Sequence, residues 1–280
     1  MRAGAVQINS NADRHRNLAT AEALVRAAAA DGATLVALPE RFDLRGTPDD
    51  YERGAQPLET HEAVAWSRDL ARDLQIDLIA GSIGERREGH DKLSNTSLHV
   101  DPHGEIRAVY RKVHLFDVTV GETDYRESDS DEPGEEIVTT EAADGTRLGL
   151  SVCYDVRFPE LYRILALEGA LVLTVPANFT RTTGAAHWEV LLRARAVENQ
   201  AFVIAPAQAG EYPPGQPAYG NTMIVDPWGE VLARAPGEGE TFVASDLDFD
   251  RLAEVRAKLP SLQNRMPGAY QWPALQEVPV

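Results

Sequence analysis

Several features that are common in proteins are rare or missing in this chain. Its 280 residues include a single cysteine, Cys153, which excludes a disulfide bond within the chain. No apolar run approaches the roughly 18 residues that a membrane-spanning helix needs. The formal net charge is −17, and an acidic surface repels nucleic acid phosphates and anionic lipids. We therefore expect neither nucleic acid nor a membrane as a partner.

Lysine is scarce as well, since only Lys92, Lys112 and Lys258 accompany 24 arginines. A lysine in such an arginine-rich chain is worth testing as a functional group, because the two side chains are not interchangeable. A signal peptide is not evident either. Residues 1–7 are too few for its apolar region and lack a small-residue cleavage pattern. We therefore expect a cytoplasmic protein.

Strand patterns and helix patterns alternate along the whole chain. Apolar residues recur at helical spacing over 13–30 and 184–199, while 35–38 is typical of a buried strand. Hairpin turns are inserted between these elements. With 43% hydrophobic residues the chain can bury a large core. The pattern predicts a single α/β domain at 1–270, with two sheets covered by helices, and a C-terminal tail at 271–280.

The stretch around Cys153 carries the strongest chemical signal. Residues 147–152 are typical of a buried strand, and Pro159 suits the first turn of a helix. A corner between strand and helix can hold a nucleophile, with backbone N–H groups of the helix start directed at the same place. The alternative is that Cys153 is merely a small buried hydrophobic residue. Whether other ionisable residues accompany Cys153 distinguishes a nucleophile from a buried hydrophobic residue.

Three ionisable residues are candidates to share a pocket with Cys153. Glu40 and Lys112 directly follow apolar strands, and Glu127 lies in the acidic segment 121–136, which we expect to be a surface loop. Each alone is more simply explained as a surface charge. Together they suit a reaction: one carboxylate could accept the thiol proton, the ammonium could hold an oxyanion, and the second carboxylate could balance the ammonium.

Three motifs resemble the catalytic signatures of the nitrilase, or carbon–nitrogen hydrolase, superfamily. They are LPE at 38–40, YRKVHLFD at 110–117 and VCYDVRFPEL at 152–161, in the order and spacing of that family. The resemblance covers about residues 1–270. It implies a four-layer α-β-β-α sandwich that forms a homodimer or a higher homo-oligomer.

The same resemblance implies a role for each of the four residues. Cys153 would be the nucleophile, Glu40 the general base and acid, and Lys112 the group that stabilises the oxyanion. Glu127 would be the second catalytic glutamate, with Glu122 as the competing choice. Neither a metal nor an organic cofactor is implied.

Segments 183–200 and 205–229 are similar to the amidase branch that contains deaminated-glutathione amidase and omega-amidase. The resemblance implies a hydrolase that converts a small linear amide bearing a carboxylate to an acid and ammonia, through a cysteine thioester. Hydrolysis of an N-carbamoyl amino acid or of a nitrile remains open. A non-catalytic binding protein of the same fold is the alternative from another class, and a papain-like protease would need a histidine partner for Cys153.

Substrate contacts are expected on both sides of the cysteine motif. The backbone N–H of Tyr154 could help to hold the oxyanion. Arg157 could bind a substrate carboxylate, although it could equally pair with a neighbouring acidic side chain of its own motif. The loop after the strand at 171–175 supplies Asn178, Phe179 and Thr182 as further candidates.

The histidines do not indicate a metal site. His99 and His103 have the spacing of zinc ligands on a helix, but they flank a turn, so we interpret the pair as a coincidence. We expect His114 and His187 to have structural roles. The sequence therefore predicts an enzyme without a metal.

Overall fold

Helices and strands alternate in the computed structural model, which describes residues 1–213 and 215–271. The helices of the described residues are α1 Arg14–Ala30, α2 Pro48–Gly54, α3 Glu62–Leu74, α4 Pro159–Leu167, α5 Arg181–Asn199 and α6 Phe249–Lys258. The strands are β1 Arg2–Ile8, β2 Leu35–Ala37, β3 Asp77–Ile79, β4 Ile83–Arg86, β5 Leu93–Val100, β6 Ile106–Arg111, β7 Asp117–Val120, β8 Thr123–Arg126, β9 Thr139–Glu141, β10 Arg147–Leu150, β11 Val172–Thr174, β12 Phe202–Ala205, β13 Ala207–Gln208, β14 Met223–Val225, β15 Val231–Arg234 and β16 Thr241–Asp246. The predicted tail at 271–280 lies outside the described residues from 272 onwards.

Two sheets form the centre of the molecule. The first has the order β13-β1-β2-β3-β5-β4, with β16 also paired to β1 and β6 to β5. The second has the order β15-β14-β12-β11-β10-β9. Strands β1, β2 and β3 are parallel neighbours, and so are β10, β11 and β12. In each sheet the carboxyl ends of three strands therefore meet at one edge, where α/β folds place their sites.

Alternating side chains of the first sheet divide between two hydrophobic clusters. Leu35 and Ala37 pack in one cluster with residues of β10 and β11, whereas Val36 and Leu38 pack in the other with residues of α1 and α3. Helices α4 and α5 cover the second sheet. Each fully buried leucine or valine side chain contributes about 1.5–3 kcal/mol to folding. The predicted four-layer α-β-β-α sandwich is confirmed.

Helix α3 begins at Glu62 and is capped by His61, whose Nδ1 accepts the backbone N–H of Ala63 at 3.2 Å. The segment 121–136, expected to be one loop, differs from the prediction, because it contains strand β8, which pairs with the preceding strand β7. Its many charged residues hide the alternation that would have indicated strands. No helix in the described part of the chain is long and apolar enough to cross a bilayer.

A close backbone contact holds the segment that follows β2. Gly81 has φ of +35°, and a Cβ atom at this position would lie 2.0 Å from the carbonyl oxygen of Pro39. The next residue, Ser82, accepts the backbone N–H of Arg41 through its Oγ at 3.0 Å. Residues 81–82 therefore fix the backbone on both sides of Glu40.

We expect Gly81→Ala to lower the free energy of unfolding by about 2–3 kcal/mol, because the new methyl group must displace the 38–40 backbone. Chemical denaturation measures the loss. Gly89→Ala is the matched control, since Gly89 also has positive φ but nothing lies within 4 Å of its Cβ position. It should cost about 1 kcal/mol. Equal losses would show that backbone conformation alone, and not the contact with Pro39, makes Gly81 necessary.

Candidate active site

Cys153 lies at the corner between β10 and α4. Its φ of +51° is a left-handed conformation, which costs a non-glycine residue about 1–2 kcal/mol. The backbone N–H of Cys153 donates to the carbonyl of Pro176 at 2.8 Å. Just before it, the Ser151 hydroxyl donates to the carbonyl of Thr174 at 2.7 Å. The neighbouring strand β11 and its continuation thus hold the corner in a strained shape.

The buried carboxylate of Asp155 accepts hydrogen bonds that hold the same corner in place. One oxygen of Asp155 accepts the hydroxyl of Tyr110 at 2.6 Å and the backbone N–H of Val152 at 2.8 Å. The other oxygen accepts the backbone N–H of His114 at 3.1 Å and lies 2.7 Å from its Nδ1. Asp155 thereby joins the cysteine corner of one sheet to the end of β6 in the other.

Lys112 lies between two carboxylates at the end of β6. Its Nζ is 2.9 Å from Oε1 of Glu40 and 2.8 Å from Oε2 of Glu127. The Asn95 side chain donates to both carboxylates, at 2.9 and 3.1 Å. The Lys112 side chain is 2% exposed, and those of Glu40 and Glu127 are 6% and 16% exposed. Glu122, the competing choice, lies exposed in the turn between β7 and β8.

Backbone N–H groups fix both carboxylates from other segments. The N–H of Asn178 donates to Oε2 of Glu40 at 2.9 Å, and the N–H of Phe116 donates to Oε2 of Glu127 at 2.7 Å. Because the backbone cannot rotate away as a side chain can, these bonds hold the oxygens in place. The two glutamates are therefore pre-oriented.

Burial and charge shift the ionisation of this cluster. Burial and then the Glu40 carboxylate raise the pKa of the Cys153 thiol well above its usual value, and Lys112 offsets them only in part. Burial alone would lower the pKa of Lys112, but Glu127 and Glu40 outweigh it and raise that pKa. The pKa of Glu127 is lowered, since Lys112 outweighs the effect of burial. Lys112 favours the thiolate, but burial and Glu40 outweigh it, so the resting thiol is protonated.

A cavity of about 300 Å³ opens beside the cluster. Cys153, Glu40, Lys112, Glu127 and Asn178 all line it. Its other walls come from the segment leading into α2, from the hairpin β7–β8 and from residues 216–217. Glu127 and one residue from each of the three motifs therefore face one space that suits a small molecule.

The predicted substrate residues lie in different places. Asn178 lines the main cavity, while Tyr154 and Phe179 line a smaller adjoining one. Arg157 lies over the rings of Tyr154 and Phe179, and its guanidinium contacts His187. It forms no ion pair within 1–213 and 215–271, so the alternative of pairing with Asp155 or Glu160 is not observed. Thr182 is exposed and lines neither cavity.

Three polar residues of the cavity were missed in the sequence. Asn95 could have been noticed, because it belongs to a run of polar residues, 94–97, inside a strand that is buried throughout. Arg41 and Arg45 gave no signal among the chain's many arginines. Arg41 pairs with Asp131, and burial lowers the pKa of Arg45 to about 10.

The histidines take structural positions. His99 is buried, with Nδ1 2.9 Å from the hydroxyl of Thr140 and Nε2 3.0 Å from Asp77. The His114 ring stacks on that of Phe158 at 3.6 Å between centroids. Among the described residues no group of three or more His, Cys, Asp or Glu side chains could hold a metal ion.

Comparisons with known proteins agree over almost the whole chain. The family model for carbon-nitrogen hydrolases matches residues 2–257. A deaminated glutathione amidase of Synechocystis is 42% identical over 268 residues, 94% of this chain and 97% of the relative. Omega-amidase NIT2 of Mus musculus is 39% identical over 95% of both chains. The crystal structure of Saccharomyces cerevisiae Nit3, a nitrilase-superfamily protein, superposes with a TM-score of 0.85 at 33% identity, over 93% of this chain and 94% of that one.

We expect Asp155→Asn to destabilise the protein by about 2–3 kcal/mol, because the new amide group would face N–H and O–H donors that need acceptors. Thermal and chemical unfolding measure the change. Asp101→Asn is the matched control: only Oδ1 of Asp101 accepts the N–H groups of His103 and Glu105, and asparagine keeps that oxygen. A loss no larger than the control's would contradict the support assigned to Asp155.

Proposed function

The chain belongs to the carbon–nitrogen hydrolase family, and on that premise we propose that it hydrolyses a small linear amide bearing a carboxylate. The products are an acid and ammonia, and a thioester on Cys153 is the intermediate. One observation carries the proposal: a strained cysteine, a carboxylate and a buried ammonium line one cavity of small-molecule size.

The first step is attack by the Cys153 sulfur on the amide carbon. Because the resting thiol is protonated, a base must take its proton as the C–S bond forms. Glu40 is in position for this, since its carboxylate lines the same cavity as the Cys153 sulfur and helps to raise the pKa of the thiol. The proton is thus transferred within a buried pair, without a stable thiolate.

The amide oxygen becomes negatively charged as the carbon turns tetrahedral. Lys112 can hold that charge, and so can the backbone N–H of Tyr154, which donates to no acceptor among the described residues. Glu127 and Asn95 keep the ammonium in place. Fixed donors of this kind stabilise a transition state more than a ground state, since they need no reorientation during the reaction.

Breakdown of the tetrahedral species completes the first half. The C–N bond breaks, and Glu40 returns its proton to the leaving nitrogen, so ammonia departs and a thioester remains. In the second half Glu40 takes a proton from water while the water oxygen attacks the thioester. The C–S bond then breaks, the sulfur regains a proton and the acid leaves.

The proposed substrate is of the deaminated-glutathione type. Relatives named deaminated glutathione amidase and omega-amidase support an amide substrate. The relative named deaminated glutathione amidase has the higher identity of the two, 42% against 39%. Two buried arginines in the cavity wall, Arg41 and Arg45, favour a substrate that carries a negative charge.

We also propose a cytoplasmic homodimer. The outer surfaces of α4 and α5 expose the apolar side chains of Ile164, Leu167, Val190 and Val197, at 41% to 60% of their area. Several exposed apolar residues on neighbouring helices are typical of a protein interface. The cytoplasmic location rests on the single cysteine, which needs no oxidising compartment.

Ammonia release from a panel of compounds tests the enzymatic proposal. We expect turnover of deaminated glutathione or alpha-ketoglutaramate, and a loss of about 10³-fold or more with Cys153→Ala, because the nucleophile is removed. An N-carbamoyl amino acid and a simple nitrile complete the panel. Release only from the N-carbamoyl amino acid or only from the nitrile would overturn the proposed substrate but leave Cys153 as the proposed nucleophile. No release from any compound would favour the non-catalytic binding protein.

Sedimentation measurements test the dimer. We expect Val190→Glu to convert a dimer to a monomer, because a carboxylate would be buried without a partner in the interface. Ala23→Glu is the control, since Ala23 is exposed on α1 in the opposite outer layer. A monomeric wild type, or a Val190→Glu protein that stays dimeric, would contradict the proposed interface.

A further inference from the structure

One buried arginine of the cavity lacks a carboxylate partner. Among the described residues the arginines with buried side chains are Arg41, Arg45 and Arg195. Arg41 pairs with Asp131, and Arg195 pairs with Glu198. Arg45 forms no ion pair within 1–213 and 215–271. A protein with net charge −17 has many carboxylates to offer, so this arrangement needs a specific reason.

The contacts of Arg45 are with neutral oxygens. Its Nη2 donates to the carbonyl of Gln216 at 2.9 Å, and its Nη1 lies near the carbonyl of Ala209 at 3.3 Å and Oδ1 of Asn9 at 3.4 Å. The residue is only 2% exposed, and burial lowers its pKa to about 10. The group stays charged at neutral pH, and the carboxylate of Glu40, which pairs with Lys112, offsets the effect of burial only in part. Burying an uncompensated charge destabilises the protein.

Arg45 lines the same cavity as Cys153 and Lys112. A guanidinium presents planar N–H donors that match the two oxygens of a carboxylate. An anion that enters the cavity would therefore be the counter-ion that Arg45 lacks among the described residues. The residue thus has the chemistry, the place and the unsatisfied charge of a carboxylate-binding group.

We propose that Arg45 binds the carboxylate of the substrate while the amide group lies against Cys153. This inference rests on the proposed amidase function and adds the residue that selects the substrate. A neutral chain of the same length would leave the guanidinium buried without a counter-ion, so the site discriminates against it.

Two other arginines are weaker candidates for this role. The charge of Arg41 is already compensated by Asp131, and its guanidinium lies over the ring of Tyr51 at 4.7 Å. Arg157 stacks on aromatic rings and does not line the main cavity. A substrate carboxylate would gain less from a compensated or a remote cation than from Arg45.

The test compares glutaramate, the monoamide of glutaric acid, with pentanamide, in which a methyl group replaces the carboxylate. We expect Arg45→Gln to lower kcat/KM for glutaramate roughly 10- to 100-fold, the effect of losing hydrogen bonds to a charged group. The value for pentanamide should change by less than about threefold, since no such bonds are made. Arg45→Lys should restore part of the glutaramate activity, because it keeps the charge.

Arg107→Gln is the control, because Arg107 is exposed on β6. Equal losses for both amides with Arg45→Gln would overturn the inference and assign Arg45 the structural task of holding residues 209–216. A selective loss with Arg157→Gln instead would move the carboxylate site to Arg157. Thermal unfolding of each variant verifies that the fold is kept.

Binding of glutarate to the Cys153→Ala protein separates this inference from the proposed reaction. Calorimetry should show binding that weakens about tenfold or more when Arg45→Gln is added. If no amide is hydrolysed but glutarate binding still depends on Arg45, the reaction fails and the carboxylate site stands. If glutarate binds equally well with and without Arg45, or does not bind, the carboxylate site is wrong whatever the activity.

Discussion

The burial of Lys112 between Glu40 and Glu127 is the interaction on which the site depends. A dehydrated ammonium is costly, and it is tolerated only where carboxylates and further hydrogen bonds surround it. The two glutamates come from separate segments of the chain, and Asn95 bridges them from β5. The cluster keeps a net negative charge beside the thiol, which, together with burial, raises the thiol pKa. The same electrostatics that hold Lys112 therefore make a nearby base necessary for the chemistry.

The corner at Cys153 has to be rigid for this proximity to matter. Its left-handed backbone is strained, and such strain persists only where the surroundings fix the conformation. The bond to Pro176 fixes it from β11, and Asp155 ties it to the end of β6 in the other sheet. These bonds fix the distance between the two sheets at the site, where Cys153 comes from one sheet and Glu40 from the other. Residues that touch no substrate thus decide how well the reacting groups are aligned.

Net charge and pocket charge are separate properties of this protein. The chain as a whole is strongly acidic, yet its cavity wall includes buried guanidinium groups, and that of Arg45 forms no ion pair with any residue that the structure describes. An acidic surface slows the approach of an anion only at long range, where salt screens it. Inside the cavity a local cation acts at short distance and with little screening. A negatively charged substrate is therefore compatible with the overall charge.

The sequence by itself determined the α/β class and the strand-to-helix corner at Cys153, because these depend on patterns within a few neighbouring residues, and the resemblance of its three motifs implied the four-layer sandwich and the roles of the cluster. It left open whether Glu127 or Glu122 contacts Lys112. It predicted that Thr182 lines the pocket, whereas Thr182 is exposed outside it. It contained no signal for Arg45. The tertiary structure decided these points, and also the protonation of the thiol. Contacts between distant segments, and the loss of water around a charge, arise only when strand ends from two sheets are packed together.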